Sequence, residues 1–403
     1  MPVNEKVAAH FINIIRMKTF DVVIIGAGLA GLQCAKLLSS RGIGVLLVDC
    51  KTGLAKGIHT TGIFVRRTFE DFTFPAGTLG APIRHVTLYS PKLKALELES
   101  EKEEFRVGKM DKLYVSLLQD CIENGVEFAA GTRYVSAEKG TGETTIKLEK
   151  NGRATEVRAK VLIGADGANS NVAKSLGLDE NREWIVGYEE VFHVKNSNTE
   201  PRLHCFLDSR LAPGYLAWVA DDGEDIHIGV GGYPAGFKPR EALKQFKKKI
   251  AAGLFDPKNE KPMETRGGRI PVGGILKNIA NENGLLIGDA AGAVSPLTAG
   301  GLDPAIRLSA FAARIVEERL ATDDPRVLLK FSGELFRSRF ISRLWMRRAI
   351  SVFTNQTLLE LACLFLRGRI GTKLAKHVFF GRGSFPDIET AKMNRQEAGV
   401  PTI

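Results

Sequence analysis

The sequence predicts a mixed α/β fold with a parallel-sheet domain that is split along the chain, an inserted antiparallel β-sheet domain and a helical C-terminal segment. A strand, glycine-rich turn and helix near the N-terminus, a β-rich middle and a second strand–turn–helix unit about 260 residues later predict this fold. The 403 residues are enough for two or three units, and 44% hydrophobic residues is typical of a globular protein. This composition argues against disorder, and no apolar run reaches the roughly 20 residues of a membrane-spanning helix.

The first element is a βαβ unit. Thr19–Ile25 is a short run rich in Val and Ile, which is typical of a buried parallel strand. An amphipathic helix is expected over Leu32–Ser40, followed by a second strand over Gly44–Val48. The first strand and the helix are joined by Gly26-Ala27-Gly28-Leu29-Ala30-Gly31. This order of strand, glycine turn and helix is the dinucleotide-binding pattern.

The residue types of the glycine turn suit a bound pyrophosphate. Gly26 permits a tight turn, Gly28 lets the phosphates approach the backbone, and Gly31 lets helix and strand pack closely. The N-terminus of the helix adds free N–H groups and a partial positive charge. Asp49 lies 18 residues past Gly31, at the end of the second strand, where it can accept hydrogen bonds from a ribose.

The next part of the chain predicts hairpins around one helix. His85–Ser90 and Leu93–Glu99 have the pattern of paired strands, and Leu113–Glu123 is an amphipathic helix that ends at an Asn-Gly pair. Thr144–Glu149 and Ala154–Ala159 flank a Lys-Asn-Gly-Arg turn, which predicts a second hairpin.

Two later strands each lead into a turn that contains glycine and aspartate. Lys160–Ile163 leads into Gly164-Ala165-Asp166-Gly167-Ala168-Asn169-Ser170. Leu285–Ile287 leads into Gly288-Asp289-Ala290-Ala291-Gly292. If both strands join the first sheet, one domain is built from distant parts of the chain.

The segment between these units is β-rich over Arg182–Gly232, with a strand predicted at Tyr215–Ala220. The acidic turn that follows this strand is interpreted as a solvated hairpin rather than a metal site. Near the end of the split domain, a helix is expected after Gly300-Gly301-Leu302. Asp303 is its predicted N-cap and Pro304 its first helical residue.

Together these motifs resemble the FAD-dependent oxidoreductases of the para-hydroxybenzoate hydroxylase fold, and within that group the geranylgeranyl reductase family. The resemblance is carried by Gly26–Gly31, Gly164–Ser170, Gly288–Leu302, Gly268-Arg269-Ile270-Pro271 and Pro213-Gly214-Tyr215-Leu216-Ala217-Trp218. It covers roughly residues 18 to 320. It implies a Rossmann-like FAD-binding domain of the glutathione-reductase type, with domains at 17–180 plus 266–322, at 181–265 with part of 70–105, and a basic helical region at 323–403.

The resemblance also implies which residues contact FAD. The pyrophosphate, the ribose and their surroundings are assigned to Gly26, Gly28, Ala30, Gly31, Asp49, Cys50 and Lys51. Asp289 is assigned to the ribityl or pyrophosphate region, with Asp166 and Gly167 nearby in a motif linked to FAD and NADPH contacts. Pro296, Gly300, Gly301 and Leu302 are assigned to the flavin ring, and Lys109 and Gly288 to the FAD site in general. Backbone N–H groups at the start of the last helix suit the negative charge of a reduced flavin. NADPH is a possible transient electron donor.

Three residues are candidates for the substrate side of the site. Tyr215 and Trp218 belong to the motif that resembles the family's aromatic substrate pocket. Their spacing of three places them on opposite faces of a strand, so at most one needs to face a pocket. His59 lies in a loop where the family usually has a cysteine, and it is either a proton donor or a hydrogen-bonding loop residue.

The net charge of +10 is local. Twelve Lys or Arg and two Asp or Glu lie between Arg326 and Gly383, and the rest of the chain is neutral. Basic residues interleaved with aromatic ones suit an anionic membrane surface, a solvated helix face or a subunit contact. No nucleic-acid-binding motif is present. The five cysteines have no CxxC spacing, so no metal site is predicted, and a cytoplasmic location is expected.

The sequence therefore predicts a flavoenzyme that delivers hydride to isoprenoid double bonds. Two alternatives remain. One is a monooxygenase or halogenase, in which reduced flavin reacts with oxygen. The other is a non-catalytic flavin-binding or electron-carrier module, which predicts no substrate pocket beside the flavin.

Overall fold

The computed structural model describes residues 18–193, 200–250, 261–352 and 355–381. The strands of this part of the chain are β1 (Lys18–Ile25), β2 (Val45–Asp49), β3 (Ile63–Val65), β4 (Leu79–Ile83), β5 (His85–Tyr89), β6 (Ala95–Glu99), β7 (Phe105–Gly108), β8 (Glu127–Ala130), β9 (Arg133–Lys139), β10 (Thr144–Lys150), β11 (Arg153–Gly164), β12 (Trp184–His193), β13 (Arg202–Phe206), β14 (Ala217–Asp221), β15 (Asp225–Gly232), β16 (Glu264–Pro271), β17 (Ala280–Asn281) and β18 (Gly284–Leu286). The α-helices are α1 (Leu29–Ser39), α2 (Arg66–Asp71), α3 (Met110–Glu123), α4 (Asn171–Leu176), α5 (Pro239–Ile250), α6 (Leu302–Thr322), α7 (Glu334–Val352), α8 (Gln356–Leu366) and α9 (Arg369–Phe380). Gly288–Ala291 and Pro325–Lys330 form short 3-10 helices.

The first sheet joins the three glycine-containing motifs. Its order is β17-β18-β11-β1-β2-β8, with β10 paired to β11 and β9 paired to β10. Strand β1 is parallel to β2 and β11, and β11 is parallel to β18. The carboxyl ends of β1, β11 and β18 therefore lie at one edge of the sheet, and each of these ends leads into one motif. In such sheets ligands bind at this edge.

The first two motifs touch directly. A Cβ at Gly26 would lie 2.3 Å from the carbonyl oxygen of Ala165, and Gly26 has a φ of +104°. A Cβ at Gly31 would lie 1.9 Å from the carbonyl oxygen of Gly26. Only glycine fits at these two positions, because the turn, the helix and the neighbouring strand approach each other too closely for a side chain.

The second sheet has seven strands in the order β16-β12-β15-β14-β13-β5-β6. All its pairs are antiparallel except β13 with β5. The strands come from three separate parts of the chain, as an inserted sheet requires. The domain boundaries stay a prediction. Residues 17, 194–199, 251–260, 353–354 and 382–403 of the predicted domains lie outside the described residues. A third, small sheet consists of β3, β7 and β4.

The C-terminal helices pack on the second sheet. Ala375 of α9 is buried with Val86, Leu88 and Leu203, and the ring of Phe380 lies 6.3 Å from that of Phe105. Helix α8 is fastened by polar bonds as well. Glu360 accepts hydrogen bonds from Ser90 Oγ at 2.9 Å and from the Lys92 N–H at 3.0 Å, and Gln356 donates to Asp208 at 2.6 Å.

Two differences from the predicted element starts bear on the site. Helix α6 begins at Leu302 with Gly301 as its N-cap, so Asp303 lies inside the first turn. The carboxylate of Asp303 instead binds the side chains of Thr68 and Arg307, at 2.9 and 2.8 Å, and so does not cap the helix. Strand β14 begins at Ala217, so Tyr215 precedes it rather than belonging to it.

Candidate functional site

A cavity of about 820 Å³ borders both the glycine-rich edge of the first sheet and one face of the second sheet. Gly28, Leu29 and Ala30 of the first motif line one end of it. Residues of β12, β14 and β16 line its middle, and residues of α8 and α9 line the other end. The volume is in the usual range for small-molecule and cofactor sites.

The N-terminus of α1 is open toward the cavity. Helix α1 begins at Leu29, earlier than the sequence predicts, and no side chain caps its N-terminus. A Cβ at Gly28 would meet no atom within 4 Å, so there is room beside the backbone. The free N–H groups and the helix dipole at this point suit a pyrophosphate.

Asp49 closes this end of the cavity. Its Oδ2 accepts a hydrogen bond from the Ala27 N–H at 2.7 Å, and its Oδ1 accepts one from the Lys51 N–H at 2.8 Å. Each carboxylate oxygen keeps a second lone pair, which a ribose hydroxyl can use. Lys51 also borders the cavity, and its Nζ donates to the Gly57 carbonyl at 2.6 Å.

Asp289 and the start of α6 line the cavity further along. Among the described residues, no group donates a hydrogen bond to the Asp289 carboxylate, and burial raises its pKa to about 6. Gly300, Gly301 and Leu302 line the cavity where α6 begins, and no side chain caps this helix either. An orphaned carboxylate and two uncapped helix N-termini around one cavity suit a ligand with hydroxyl, phosphate and ring-oxygen groups, as FAD has.

Several predicted FAD contacts lie away from the cavity wall. Gly26 and Gly31 support the turn from beneath. Pro296 and the exposed residue Cys50 do not border the cavity. Lys109 pairs with Glu224 at 2.6 Å, on the outside of the site.

Asp166 acts as a support for α4. Its carboxylate accepts hydrogen bonds from Ser170 Oγ at 2.6 Å and from the Asn171 N–H at 2.7 Å. Its neighbours Ala165 and Gly167 line the cavity, and so does Gly288. The roles of the predicted contacts toward FAD stay proposals.

Tyr215 and Trp218 both line the cavity, so the prediction that only one needs to face a pocket is wrong. The reason is that Tyr215 precedes the strand and escapes its alternation. Both rings lie on glycines of β15. A Cβ at Gly229 would lie 2.1 Å from the indole of Trp218, and a Cβ at Gly231 would lie 2.7 Å from the ring of Tyr215. These glycines form a floor that lets the two rings lie against the sheet.

A buried group of charges lies behind Trp218, and we call Glu189, Asp222, His227 and Arg266 the charged hub. Glu189 and His227 have side chains only 3% exposed, and His227 Nδ1 donates to Glu189 Oε1 at 3.3 Å. His227 Nε2 lies 3.8 Å from Asp222, and Arg266 lies 3.7 Å from Glu189. These residues could not be predicted from the sequence, because they lie on β12, β15, β16 and the turn after β14, with no local spacing.

The contacts within the hub favour the charged forms of His227 and Glu189. Burial by itself lowers the pKa of His227, but hydrogen bonding to Asp222 and Glu189 outweighs it and raises the pKa to about 9. Burial by itself raises the pKa of Glu189, but its bonds to His227 and Thr61 and the charge of Arg266 hold the pKa below its usual range. A buried carboxylate with this many partners is fixed in place.

Glu189 connects the hub to the cavity wall. Its Oε2 accepts hydrogen bonds from Thr61 Oγ1 at 2.5 Å and from Trp218 Nε1 at 2.8 Å. Thr61 belongs to the same loop as His59, and both border the cavity. His59 Nδ1 lies 2.9 Å from the Gly267 carbonyl, which supports the role of a hydrogen-bonding loop residue.

Arg347 of α7 ties the C-terminal region to the cavity. It is 4% exposed and donates to the Pro296 carbonyl at 2.8 Å, to the Tyr233 hydroxyl at 3.0 Å and to the Gly214 carbonyl at 3.4 Å. The guanidinium also lies 4.9 Å from the centre of the Tyr233 ring. It thereby holds the loop before α6 against the segment that carries Tyr215.

We call the cavity-lining side chains of α8 and α9 the apolar wall, which consists of Ala362, Phe365, Leu366, Leu374, Ala375, Val378, Phe379 and Phe380. Phe365 and Leu374 are also 58% and 46% exposed, so they lie at the rim where the cavity opens. Part of the basic C-terminal segment therefore forms the cavity itself.

Within the described residues, no group of three or more His, Cys, Asp or Glu side chains could hold a metal ion. No helix of that part of the chain is long and apolar enough to cross a membrane. The acidic turn after β14 is a hairpin, as predicted, but it is not fully solvated, because Asp221 and Asp222 are buried.

Comparisons with known proteins agree with this site. The FAD binding domain family matches residues 19–334. Digeranylgeranylglycerophospholipid reductase 1 of Methanopyrus kandleri is 30% identical over 317 residues, covering 76% of this chain and 82% of the relative. A geranylgeranyl bacteriochlorophyll reductase-like protein from Thermoplasma acidophilum superposes with a TM-score of 0.78 at 20% identity, covering 91% of this chain and 98% of that structure.

More distant structures share the fold alone. The p-nitrophenol 4-monooxygenase from Pseudomonas putida has a TM-score of 0.65 at 15% identity, covering 88% of this chain and all of that structure. The match over most of the chain, the glycine-lined cradle and the reductase relatives lead to one assignment. The chain belongs to the FAD binding domain family, and it is a FAD-dependent oxidoreductase of the geranylgeranyl reductase family.

Proposed function

We propose that this flavoenzyme reduces carbon–carbon double bonds of an isoprenoid lipid. One observation carries the proposal: a single cavity leads from the FAD cradle to the apolar wall. An isoprenoid chain matches this wall, because it has no polar group along its length to satisfy. The M. kandleri relative is named as a reductase of a digeranylgeranyl lipid, which supports the same substrate class.

Bound FAD, once reduced, supplies the hydride for such a reaction. The N–H groups at the start of α6 are placed to stabilise negative charge at the cofactor. The rings of Tyr215 and Trp218 form a flat surface on which an isoprenoid unit can lie. The apolar wall limits the access of water to the reacting carbons, so that water does not add to a positively charged carbon there.

The structure offers less support for the alternatives. A flavin-binding module without a substrate would not need an apolar compartment beside its cofactor. At Gly292, where aromatic hydroxylases usually have His, a Cβ would lie 2.6 Å from the Gly274 carbonyl and 2.8 Å from Asn181 Oδ1. This backbone therefore leaves no room for a histidine side chain.

Mass spectrometry after a single turnover tests the proposal. The purified flavoenzyme is reduced without air, mixed with a geranylgeranyl lipid, and the lipid is weighed. We expect a gain of one hydrogen pair for each reduced double bond. An unchanged lipid, together with oxygen incorporation into an aromatic substrate in air, would instead establish a monooxygenase. A parallel arm follows flavin bleaching by NADPH, the predicted electron donor.

We further propose that the outer face of α8 and α9 touches an anionic membrane from which the lipid enters. Leu361 and Ile370 are 56% and 76% exposed, on the same two helices that carry the rim residues Phe365 and Leu374. These helices also carry Arg367, Arg369, Lys373 and Lys376. Exposed apolar side chains among cations suit an anionic bilayer surface.

Vesicle flotation tests the membrane contact. We expect the protein to float with vesicles that contain anionic lipid and to remain at the bottom with zwitterionic ones. Leu361→Glu should abolish flotation without changing the FAD content. Flotation that survives this substitution would show that another surface makes the contact.

A further inference from the structure

The indole of Trp218 lines the cavity and has a buried carboxylate behind it. Its Nε1–H donates to the buried carboxylate of Glu189 at 2.8 Å. An N–H bond to an ionised acceptor is stronger than one to a neutral acceptor and shifts electron density onto the donor ring. A ring enriched in this way attracts a cation to its face more strongly.

The orientation of the ring leaves one face for the substrate. Trp218 is paired with Gly229 across β14 and β15, and a Cβ at Gly229 would lie within 2.1 to 2.8 Å of three indole atoms. Gly187 on β12 and Gly231 on β15 also lie beneath the ring, where their Cβ atoms would be 4.0 and 3.6 Å from it. The sheet thus covers one indole face, and the opposite face borders the cavity.

The charges behind the ring sum to a negative value. Glu189, Asp222 and Glu264 carry three negative charges, and His227 and Arg266 carry two positive ones. The N–H groups of the Arg266 guanidinium are held by the Thr60 and Thr61 carbonyls and by Glu264, so part of its charge is balanced by Glu264. The electrostatic field on this side of the cavity therefore favours a positive charge.

We propose that Glu189, acting through Trp218, stabilises the positive charge that develops on the isoprenoid carbon during reduction. The inference rests on the proposed function. The π electrons of the double bond take up a proton, which reaches them from solvent along the polar part of the cavity lining that includes Thr60 and Thr61, and form one C–H bond. This leaves a tertiary carbon with a positive charge, and the hydride from the reduced cofactor forms the second C–H bond there. Trp218 is the group that touches the substrate, and Glu189 is a positioning residue.

Tyr215 provides an internal control for this idea. Its ring also lies on a glycine of β15 and borders the same cavity. Its hydroxyl, however, donates to the neutral Thr298 carbonyl at 2.8 Å. The two rings therefore differ in the acceptor of their polar hydrogen, and the Arg347 guanidinium also lies 5.8 Å from the centre of the Tyr215 ring.

Two unreactive analogues test the proposal on the FAD-bound protein by calorimetry. One is an isoprenoid tertiary amine that is protonated at neutral pH and has nitrogen in place of one branching carbon. The other is the saturated hydrocarbon of the same shape. We expect the wild type to bind the amine at least about tenfold more tightly, because it mimics the charged carbon. Glu189→Gln should remove most of this preference, and Tyr215→Phe should keep it.

Each outcome decides a different point. Equal affinity for the two analogues in the wild type overturns the inference but leaves the isoprenoid cavity intact. A preference that survives both Glu189→Gln and Trp218→Leu overturns it as well. Binding of neither analogue overturns the proposed function itself. If Glu189→Gln fails to bind FAD, Trp218→Leu takes its place as the test variant. Trp218→Leu removes the ring but leaves the residues of the charged hub unchanged.

Discussion

The charged hub and the apolar wall border the same cavity but are held in opposite ways. In the hub, each charge depends on a specific partner at a specific distance, such as the 3.3 Å bond between His227 and Glu189. In the apolar wall, side chains such as Phe365 and Leu374 are partly exposed and satisfy no polar group. The hub should therefore be sensitive to any change of charge, whereas the wall should tolerate changes that keep its volume and polarity.

The largest effect is expected for Glu189→Ala. This substitution leaves His227 and Arg266 buried without one of their counter-charges, and breaking a buried pair typically costs about 3–5 kcal/mol. We expect a loss of this size in the free energy of unfolding, measured by urea titration of the FAD-bound protein. Leu374→Ala in the apolar wall, the comparison variant, should cost less than about 1 kcal/mol, because that side chain is already half exposed. Equal losses would remove the distinction between the two regions.

The next effect is a pH dependence that comes from His227. A histidine whose pKa is higher in the folded protein stabilises the fold fully below its ordinary pKa of 6.5. That contribution is lost as the pH rises through about 9. We expect the free energy of unfolding to fall across this range by up to about 3 kcal/mol. The groups that face the imidazole are Glu189, Asp222 and Arg266.

His227→Gln is the control for the pH dependence. It is expected to lower stability at pH 6.5 but to flatten the curve up to pH 9, measured by urea unfolding at a series of pH values. Titration of His204 does not interfere, because burial and the nearby Arg202 lower its pKa to about 4. A wild-type curve that is already flat would show that His227 is not charged in the folded protein.

These predictions depend on residues that the sequence did not reveal. The three glycine-containing motifs could be predicted because each is local: a strand leads directly into a glycine-containing turn, and a helix follows it in the sequence. The hub could not, because Glu189, His227 and Arg266 lie on β12, β15 and β16 and meet only when the strands pair. One signal was present, since Glu189 occupies an inward position of an alternating strand, where a lone charge needs a partner.

The C-terminal region could be predicted only in part, for a related reason. Its basic residues and aromatic residues alternate along helices, which predicts a surface, and part of the pattern is exposed. Arg347, however, is buried among carbonyl groups and tyrosine rings, which no periodicity reveals. The acidic turn after β14 misled in the same way. Asp222 is part of a hairpin but also faces His227, and only the tertiary structure shows this second role.

A smaller effect on stability is expected for Gly229→Ala. The new Cβ would lie 2.1 Å from Trp218, so the indole must move into the cavity, and overpacking of this kind costs about 1–3 kcal/mol. We expect a shifted tryptophan fluorescence maximum and weaker binding of the saturated isoprenoid analogue. Gly53→Ala is the matched control, because a Cβ there would meet nothing within 4 Å. An unchanged fluorescence spectrum would mean that the ring does not rest on the glycine floor.

The smallest effect on stability, but a large one on lipid binding, is expected for Leu374→Glu at the rim of the apolar wall. The carboxylate can remain in solvent, because Leu374 is 46% exposed, so the free energy of unfolding should change by no more than about 0.5 kcal/mol. Binding of a long isoprenoid analogue should weaken at least about tenfold, because the bound chain would displace water from the new carboxylate, which is costly. Lys373→Glu changes the net charge more but lies outside the cavity, so it should leave this affinity nearly unchanged. If both variants weakened binding alike, electrostatic attraction at the surface would control entry of the lipid. If only Leu374→Glu weakens binding, the apolar wall selects its ligand by excluding charged groups. The hub, in contrast, holds its side chains by pairing opposite charges.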